Sequence, residues 1–248
     1  MDSVLVLKTD ISATTVDEVS EFLQIKDSST VAICNANSLV RSYRNPILQE
    51  KLNTFDIRTP DGFPVAKASS ILYNNNQKRV DGYNVFNETI KKGIKNNLTH
   101  YFYGNDEKLV KKLITELKEK YPEIKILGYT CPPYNNYEEL AKETHLQDVI
   151  QKNPDIVWVS LGFPKQEEFI DLISKKNLLN SNLVGIGGVF EWAAGTKIKA
   201  PEFIANLGLE WILRLIQEPK RLYKRYLIDN FLFIVYFLRQ SLRKKDTN

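Results

Sequence analysis

Apolar residues in this chain gather in short runs, separated by stretches where they recur every three or four positions. Residues 156 to 161 (IVWVSL) are apolar except for Ser160, and Pro154-Asp155 and Gly162 bound them. A run of this kind reads as a strand buried on both faces. Pro164 then suits the first turn of a helix, where a missing N–H costs nothing, and Phe169, Ile170 and Ile173 recur at helical spacing. The expected joint is a buried strand, a tight Gly turn and a helix whose free N–H groups and positive dipole end face outward. Lys165, Gln166 and Glu167 stand at that opening. In an open α/β sheet such joints bind ligands, anionic ones above all; they are equally ordinary corners with solvated polar residues.

The alternation runs through most of the chain. Residues 4–7 read as a short strand, and Thr14 or Thr15 can cap a helix with Val16, Val19, Phe22 and Leu23 on one face. Residues 31–34 form a second strand, ending in the polar run Asn35-Ala36-Asn37-Ser38, and Asn45-Pro46 opens another helix. Residues 55–57 lead to the turn Thr59-Pro60-Asp61-Gly62-Phe63-Pro64. There Pro fixes φ, Asp bonds to its own backbone and Gly takes a positive φ. An Asn-rich loop at 74–76 precedes Lys78-Arg79-Val80-Asp81-Gly82 and a helix over about 84–94. Next come a strand at 101–103, a helix capped by Asn105, a strand at 124–127, the loop Thr130-Cys131-Pro132-Pro133-Tyr134 and a polar helix. A last strand at 183–186 ends in Gly187-Gly188. The pattern predicts an α/β fold, with Rossmann-like parallel or mixed sheets and helices on both faces.

From Ala200-Pro201 the pattern turns wholly helical, which divides the chain into an α/β domain (1–200) and a helical C-terminal appendage (201–248). Leu207, Trp211, Ile212, Leu215 and Ile216 make one apolar stripe, and Pro219 interrupts it. Residues 231–238 (FLFIVYFL) are apolar all round, but a membrane-spanning helix needs roughly 20 such residues. Charge sharpens the picture: the formal net charge is +4, yet residues 214–248 carry +6 and the rest of the chain −2. The tail therefore suits an anionic membrane surface, with Arg225, Arg239, Arg243, Lys244 and Lys245 flanking the apolar run. A terminal helix packed on its own core or on a sister subunit fits the same pattern. Nucleic acid is disfavoured, since the folded body lacks basic charge.

Composition excludes several chemistries. Cys34 and Cys131 are too few and too far apart for a disulfide framework or metal site, and His100 and His145 offer no Ser-His-Asp or His-metal arrangement. No GxxxxGK[ST] is present, Gly185-Ile186-Gly187-Gly188 lacks the third glycine of a dinucleotide fingerprint, and there is no Asp-x-Asp. Phosphate handling is left to helix ends, backbone N–H groups and arginines. A lone carboxylate on a rigid turn, Asp61, is a reasonable general base for a sugar hydroxyl. Glycosyl transfer from a nucleotide sugar to a lipid-linked acceptor is one reaction that unites these features.

The motifs Asn35-Ala36-Asn37-Ser38, Pro60-Asp61-Gly62, Arg79-Val80-Asp81-Gly82, Gly162-Phe163-Pro164-Lys165-Gln166-Glu167 and Gly185-Ile186-Gly187-Gly188 occur in this order. Gly208-Leu209-Glu210-Trp211, Arg214-Leu215, Glu218-Pro219 and Arg225-Tyr226 follow. As an ordered set, from about residue 4 to residue 230, they resemble the WecG/TagA/CpsF glycosyltransferase family. The resemblance implies an inverting, metal-independent transfer from a UDP-sugar, by default an N-acetylmannosamine type, with no cofactor. It implies a polyprenyl-diphosphate-linked saccharide as acceptor at the cytoplasmic face of the plasma membrane, for cell-surface polysaccharide, and a possible homo-oligomer. Carried onto matching positions, Asp61 becomes the catalytic base. Asn35 and Gln166 line the pocket, with Arg79 among the substrate-binding residues. The Gly187-Gly188 turn admits the nucleotide diphosphate, and Arg214, Arg221 and Arg225 contact the lipid diphosphate. Ile33 stands where many members have Thr, Asn84 where Asp is common and Glu191 where Asp is usual, which leaves the donor sugar open. A non-catalytic nucleotide-binding or membrane-adaptor protein on the same fold is the alternative reading; a Rossmann oxidoreductase is disfavoured by the missing fingerprint.

Overall fold

A computed structural model describes residues 2–25 and 27–245, without the side chains of 206 and 243–245. Arg243, Lys244, Lys245 and Asp246, counted above in the basic tail, therefore lie outside the described side chains. The chain opens with an antiparallel hairpin, β1 (Ser3–Val6) and β2 (Thr9–Ser12), where a single strand is expected. Leu7 and Lys8 form its turn with φ of 49° and 63°, a left-handed pair more usual for Asn-Gly, so the turn carries no signal in the sequence.

The remaining strands are β3 (Thr30–Cys34), β4 (Ile57–Pro60), β5 (Thr99–Gly104), β6 (Lys125–Thr130), β7 (Ile156–Ser160) and β8 (Asn182–Gly185). They form one sheet in the order β4-β3-β8-β7-β5-β6 with every pairing parallel. Two apolar layers cover its faces: one holds Leu39, Tyr103, Phe169 and Ile170, the other Phe86, Phe102, Trp158 and Phe190. With helices on both faces, a parallel sheet must be apolar on both sides, which is why β7 reads as an unbroken apolar run. His100 belongs to this core: its Nδ1 accepts from Trp158 Nε1 at 3.2 Å, and burial pushes its imidazole down to about 4. It is a packing residue.

Three joints differ from expectation. Pro60 is the last residue of β4, opposite Cys34, and an edge strand tolerates its missing N–H. The chain then turns through Gly62 (φ 80°) into a helix, Phe63–Tyr73, which local turn chemistry concealed. Asp106, not Asn105, caps the helix Glu107–Lys120; Asn105 takes a left-handed φ and donates to Ser160 Oγ at 3.1 Å. Gln166 and Glu167 are buried rather than solvated, because the first turn of their helix, Lys165–Lys175, tucks under the end of β8.

The tail continues as helices Glu210–Gln217 and Pro219–Tyr223, a wider π-helical turn over Lys224–Asp229, and the helix Asn230–Lys245. The last helix is two-sided. Phe233 is buried in the body's core, with Leu232, Tyr236 and Phe237 packed around it, while Phe231, Ile234, Leu238 and Leu242 are exposed. The Gln240 amide accepts from Leu7 N–H at 2.9 Å and donates to the Leu5 carbonyl at 2.7 Å, so the tail satisfies backbone groups of β1 and the hairpin turn. No helix among the described residues is long and apolar enough to cross a membrane.

Candidate active site

Parallel strands deliver their carboxyl ends to one rim of the sheet, and every motif singled out above lies on that rim or on the tail folded over it. Asn35 follows β3, Asp61 follows β4, Gly162 and Gln166 follow β7, and Gly187-Gly188 follow β8. The chain leaves β5 outward to β6 but leaves β7 inward to β8, so a crevice opens between their ends. A groove of about 630 Å³ occupies it, lined by Asn105, Cys131, Tyr134, Gly162, Lys165, Gly187, Gly188 and Arg221 among others. That volume suits a nucleotide-sized ligand.

Two smaller cavities adjoin the groove and share Asn35, Asp61, Glu210, Arg214 and Arg225. One also reaches Gln166, Gly187, Gly188 and Arg221; the other reaches Arg79, Trp211 and Tyr226. The nine site residues chosen from the sequence thus line one connected space.

Asp61 sits at the junction. Its backbone N–H donates to the Cys34 carbonyl at 2.8 Å, and the expected Asx bond is replaced by this tie to β3. Its carboxylate makes no hydrogen bond among the described residues, which leaves both oxygens to a ligand. Enclosure by protein, then the carboxylates of Asp81 and Glu210, push it up to about 6, against the pull of Arg79 and Arg214. Solvent still reaches the residue in part.

Asp81 is committed elsewhere. It caps the helix Gly82–Lys95 through Asn84 N–H, and it pairs with Arg79 at 3.4 Å and Lys199 at 3.3 Å. Arg79 Nη1 in turn meets Glu210 Oε2 at 2.5 Å, so this arginine ties the tail to the floor of the site. Asn35 caps the helix Ala36–Arg44 in a reciprocal box with Ser38. Arg214 lies over the Trp192 ring at 4.7 Å and close above Gly188.

Arg225 projects into the cavities from the π-helical turn, a distortion frequent at functional sites. Its Nε is buried with no hydrogen-bond partner, and burial followed by the like charges of Arg214 and Arg221 push its guanidinium down. A half-buried guanidinium whose Nε has no partner, beside two other arginines, is a seat for an anion. Arg221 stands at the rim, paired with Glu218 at 2.5 Å. Of the departures noted, Ile33 lines the inner cavity, Asn84 Nδ2 donates to Asp81 at 2.8 Å, and Glu191 pairs with Lys197 at 2.6 Å.

Sequence reasoning missed Glu210, Trp211, Tyr226 and Trp192 as wall residues. The first two carried a signal inside the Gly208–Trp211 motif and Tyr226 one inside Arg225-Tyr226; Trp192 carried none. Among the described residues no group of three or more His, Cys, Asp or Glu side chains converges on a metal position.

The model of the Glycosyl transferase WecG/TagA/CpsF family matches residues 4–247. A Bacillus subtilis (strain 168) protein named N-acetylglucosaminyldiphosphoundecaprenol N-acetyl-beta-D-mannosaminyltransferase is 28% identical over 225 residues, 90% of this chain and 84% of its own. A Staphylococcus aureus (strain MW2) protein of the same name is 27% identical over 232 residues, covering 92% and 89%. The chain therefore belongs to the WecG/TagA/CpsF family and is a glycosyltransferase.

Proposed function

We propose that this enzyme transfers a sugar, by default N-acetylmannosamine, from a UDP-sugar to a polyprenyl-diphosphate-linked saccharide, with inversion and without metal. The relatives' names supply the acceptor class and the sugar. The single observation that carries the chemistry is Asp61, an unpaired carboxylate at about 6 shared by the two arginine-lined cavities that adjoin the nucleotide-sized groove. A base at that value is largely ionised at neutral pH and still accepts a proton. Asp61 takes the proton of the acceptor hydroxyl as its oxygen attacks the anomeric carbon from the face opposite the departing UDP, so one displacement inverts that carbon. The UDP diphosphate lies along the Gly187-Gly188 turn; Arg214, Arg221 and Arg225 receive the diphosphate of the lipid.

The tail accounts for how such an acceptor reaches the site. Phe203, Leu207, Ile216, Leu227, Phe231, Ile234 and Leu238 are exposed, with Lys220, Lys224 and Arg239 among them. Exposed apolar side chains with cations among them suit the interface of an anionic bilayer, which supports a peripheral position on the cytoplasmic face of the plasma membrane. Self-association through the same surface would compete with lipid.

The test is a panel of UDP-sugars offered to the purified full-length protein with a short-chain polyprenyl-diphosphate GlcNAc acceptor, read by mass spectrometry with and without EDTA. One donor should give a mass gain that EDTA leaves unchanged. Loss of the gain in EDTA would overturn metal independence. Silence from every donor, extended to other lipid-linked sugars, would overturn the reaction.

A further inference from the structure

Glu167 is the most thoroughly buried carboxyl along the inner cavity, 1% exposed, and the mechanism above does not use it. Its Oε1 accepts from Gln166 Nε2 at 2.9 Å, and its Oε2 has no hydrogen-bond partner. Gln166 Oε1, at the other end of the same amide, accepts from Gly162 N–H at 3.3 Å. The amide lies in a slot left by missing side chains: a Cβ on Gly185 would stand 3.1 Å from Nε2, and one on Gly187 3.5 Å from Oε1. Phe169, Ile170 and the other apolar residues of this helix anchor its body in the core.

A glutamine amide has two orientations of nearly equal shape, and only its partners choose between them. Here the Gly162 N–H makes the choice and Glu167 holds it. Turning the amide over would set its NH₂ against that N–H; burial pushes the Glu167 carboxyl up to about 8, so near neutral pH it is largely the neutral acid, and its Oε1 accepts from Nε2 in the orientation so chosen. With one Nε2 hydrogen held by Glu167, the other is the hydrogen Gln166 can present to the cavity. We infer that Glu167 is a positioning residue that fixes the Gln166 amide, so that an N–H rather than a carbonyl faces the donor sugar and its diphosphate oxygens. The inference rests on the proposed UDP-sugar reading, and adds to it a residue that does not itself touch substrate. Its unpaired Oε2 follows from this role, since a carboxyl needs one oxygen to hold the amide and the glycine slot leaves no donor for the second.

The test compares Glu167→Gln, Glu167→Leu, Gln166→Ala and the double variant Gln166→Ala/Glu167→Leu in the full-length protein. KM for the donor, kcat and the ¹⁵N side-chain resonances of Gln166 are read for each. Glu167→Gln still offers an oxygen to Nε2, so donor KM and kcat should stay within about threefold of the parent, whereas Glu167→Leu loses the acceptor and should raise donor KM about tenfold or more. The distinct Gln166 amide pair should persist in the first and collapse in the second. In the Gln166→Ala background Glu167→Leu should cost nothing more, because the two act as one unit. If Glu167→Leu fails to fold, Glu167→Asp replaces it, one methylene too short to reach Nε2. A Glu167→Gln loss equal to that of Glu167→Leu, or a full additional loss in the Gln166→Ala background, would overturn the inference. A parent enzyme that neither binds nor uses any UDP-sugar would instead overturn the underlying reading, while the amide resonances would still report on the contact.

Discussion

Replacing Asp61 by Asn should separate catalysis from stability in opposite directions. The carboxyl is pushed from an ordinary 3.8 to about 6 in the folded protein. That difference of about 2 pKa units, at 1.36 kcal/mol each, amounts to about 3 kcal/mol of unfavourable ionisation. Solvent reaches Asp61 in part, so about half of that figure is the reasonable expectation. The sign follows from linkage: a carboxyl raised on folding favours the native state fully below pH 3.8, and this contribution is lost as pH climbs through about 6. Asn carries no charge at any of these values, so the variant escapes the loss. Its melting temperature should equal the parent's near pH 4 and exceed it by about 3–6 °C at pH 8, at about 2–4 °C per kcal/mol for a chain of this size. Transfer should fall by about 10²–10⁴, the range expected for removing a general base. Calorimetric scans of both proteins from pH 4 to pH 8, beside donor turnover, provide the assay. A melting difference that stays flat with pH would refute the raised carboxyl, and turnover close to the parent's would remove Asp61 as the base.

Four further outcomes follow from the same geometry. In the parent, kcat/KM should rise with pH and level off above about 6, as Asp61 ionises; an acid limb centred near 4 would show an unperturbed carboxyl. Arg225→Ala should raise KM for the lipid acceptor by about 10- to 100-fold while donor KM holds, because charge-assisted bonds contribute about 1.5–3 kcal/mol; equal losses for both substrates would place Arg225 elsewhere. Phe233→Ala should destabilise the protein by about 3–5 kcal/mol, read from denaturant midpoints. Serine at Phe231, Ile234 and Leu238 together should leave stability nearly unchanged and lower sedimentation with anionic vesicles; unchanged sedimentation would deny this face the membrane.

The α/β class, with parallel or mixed sheets, was legible along the chain, because strands buried on both faces and helices with one apolar stripe leave periods that survive without neighbours; the all-parallel pairing was settled only by the fold. The short motifs were legible too, since Asn35, Asp61, Gln166, the Gly187-Gly188 turn and the tail arginines are chemically specific residues at ordered positions, and the fold gathers them around adjoining cavities. What the sequence could not show is anything set by partners distant along the chain. The Leu7-Lys8 turn is stabilised by Gln240, more than two hundred residues away, and Gln166 and Glu167 look like solvated helix-start residues until β8 closes over them. The carboxyl of Asp61 is ordinary in the sequence; Asp81, Glu210 and the surrounding wall give it its value. Even the eight apolar residues at 231–238 were ambiguous for the same reason. Local hydrophobicity says that a segment leaves water, but only the folded body, by accepting Phe233 and leaving Phe231 outside, decides where each side chain goes.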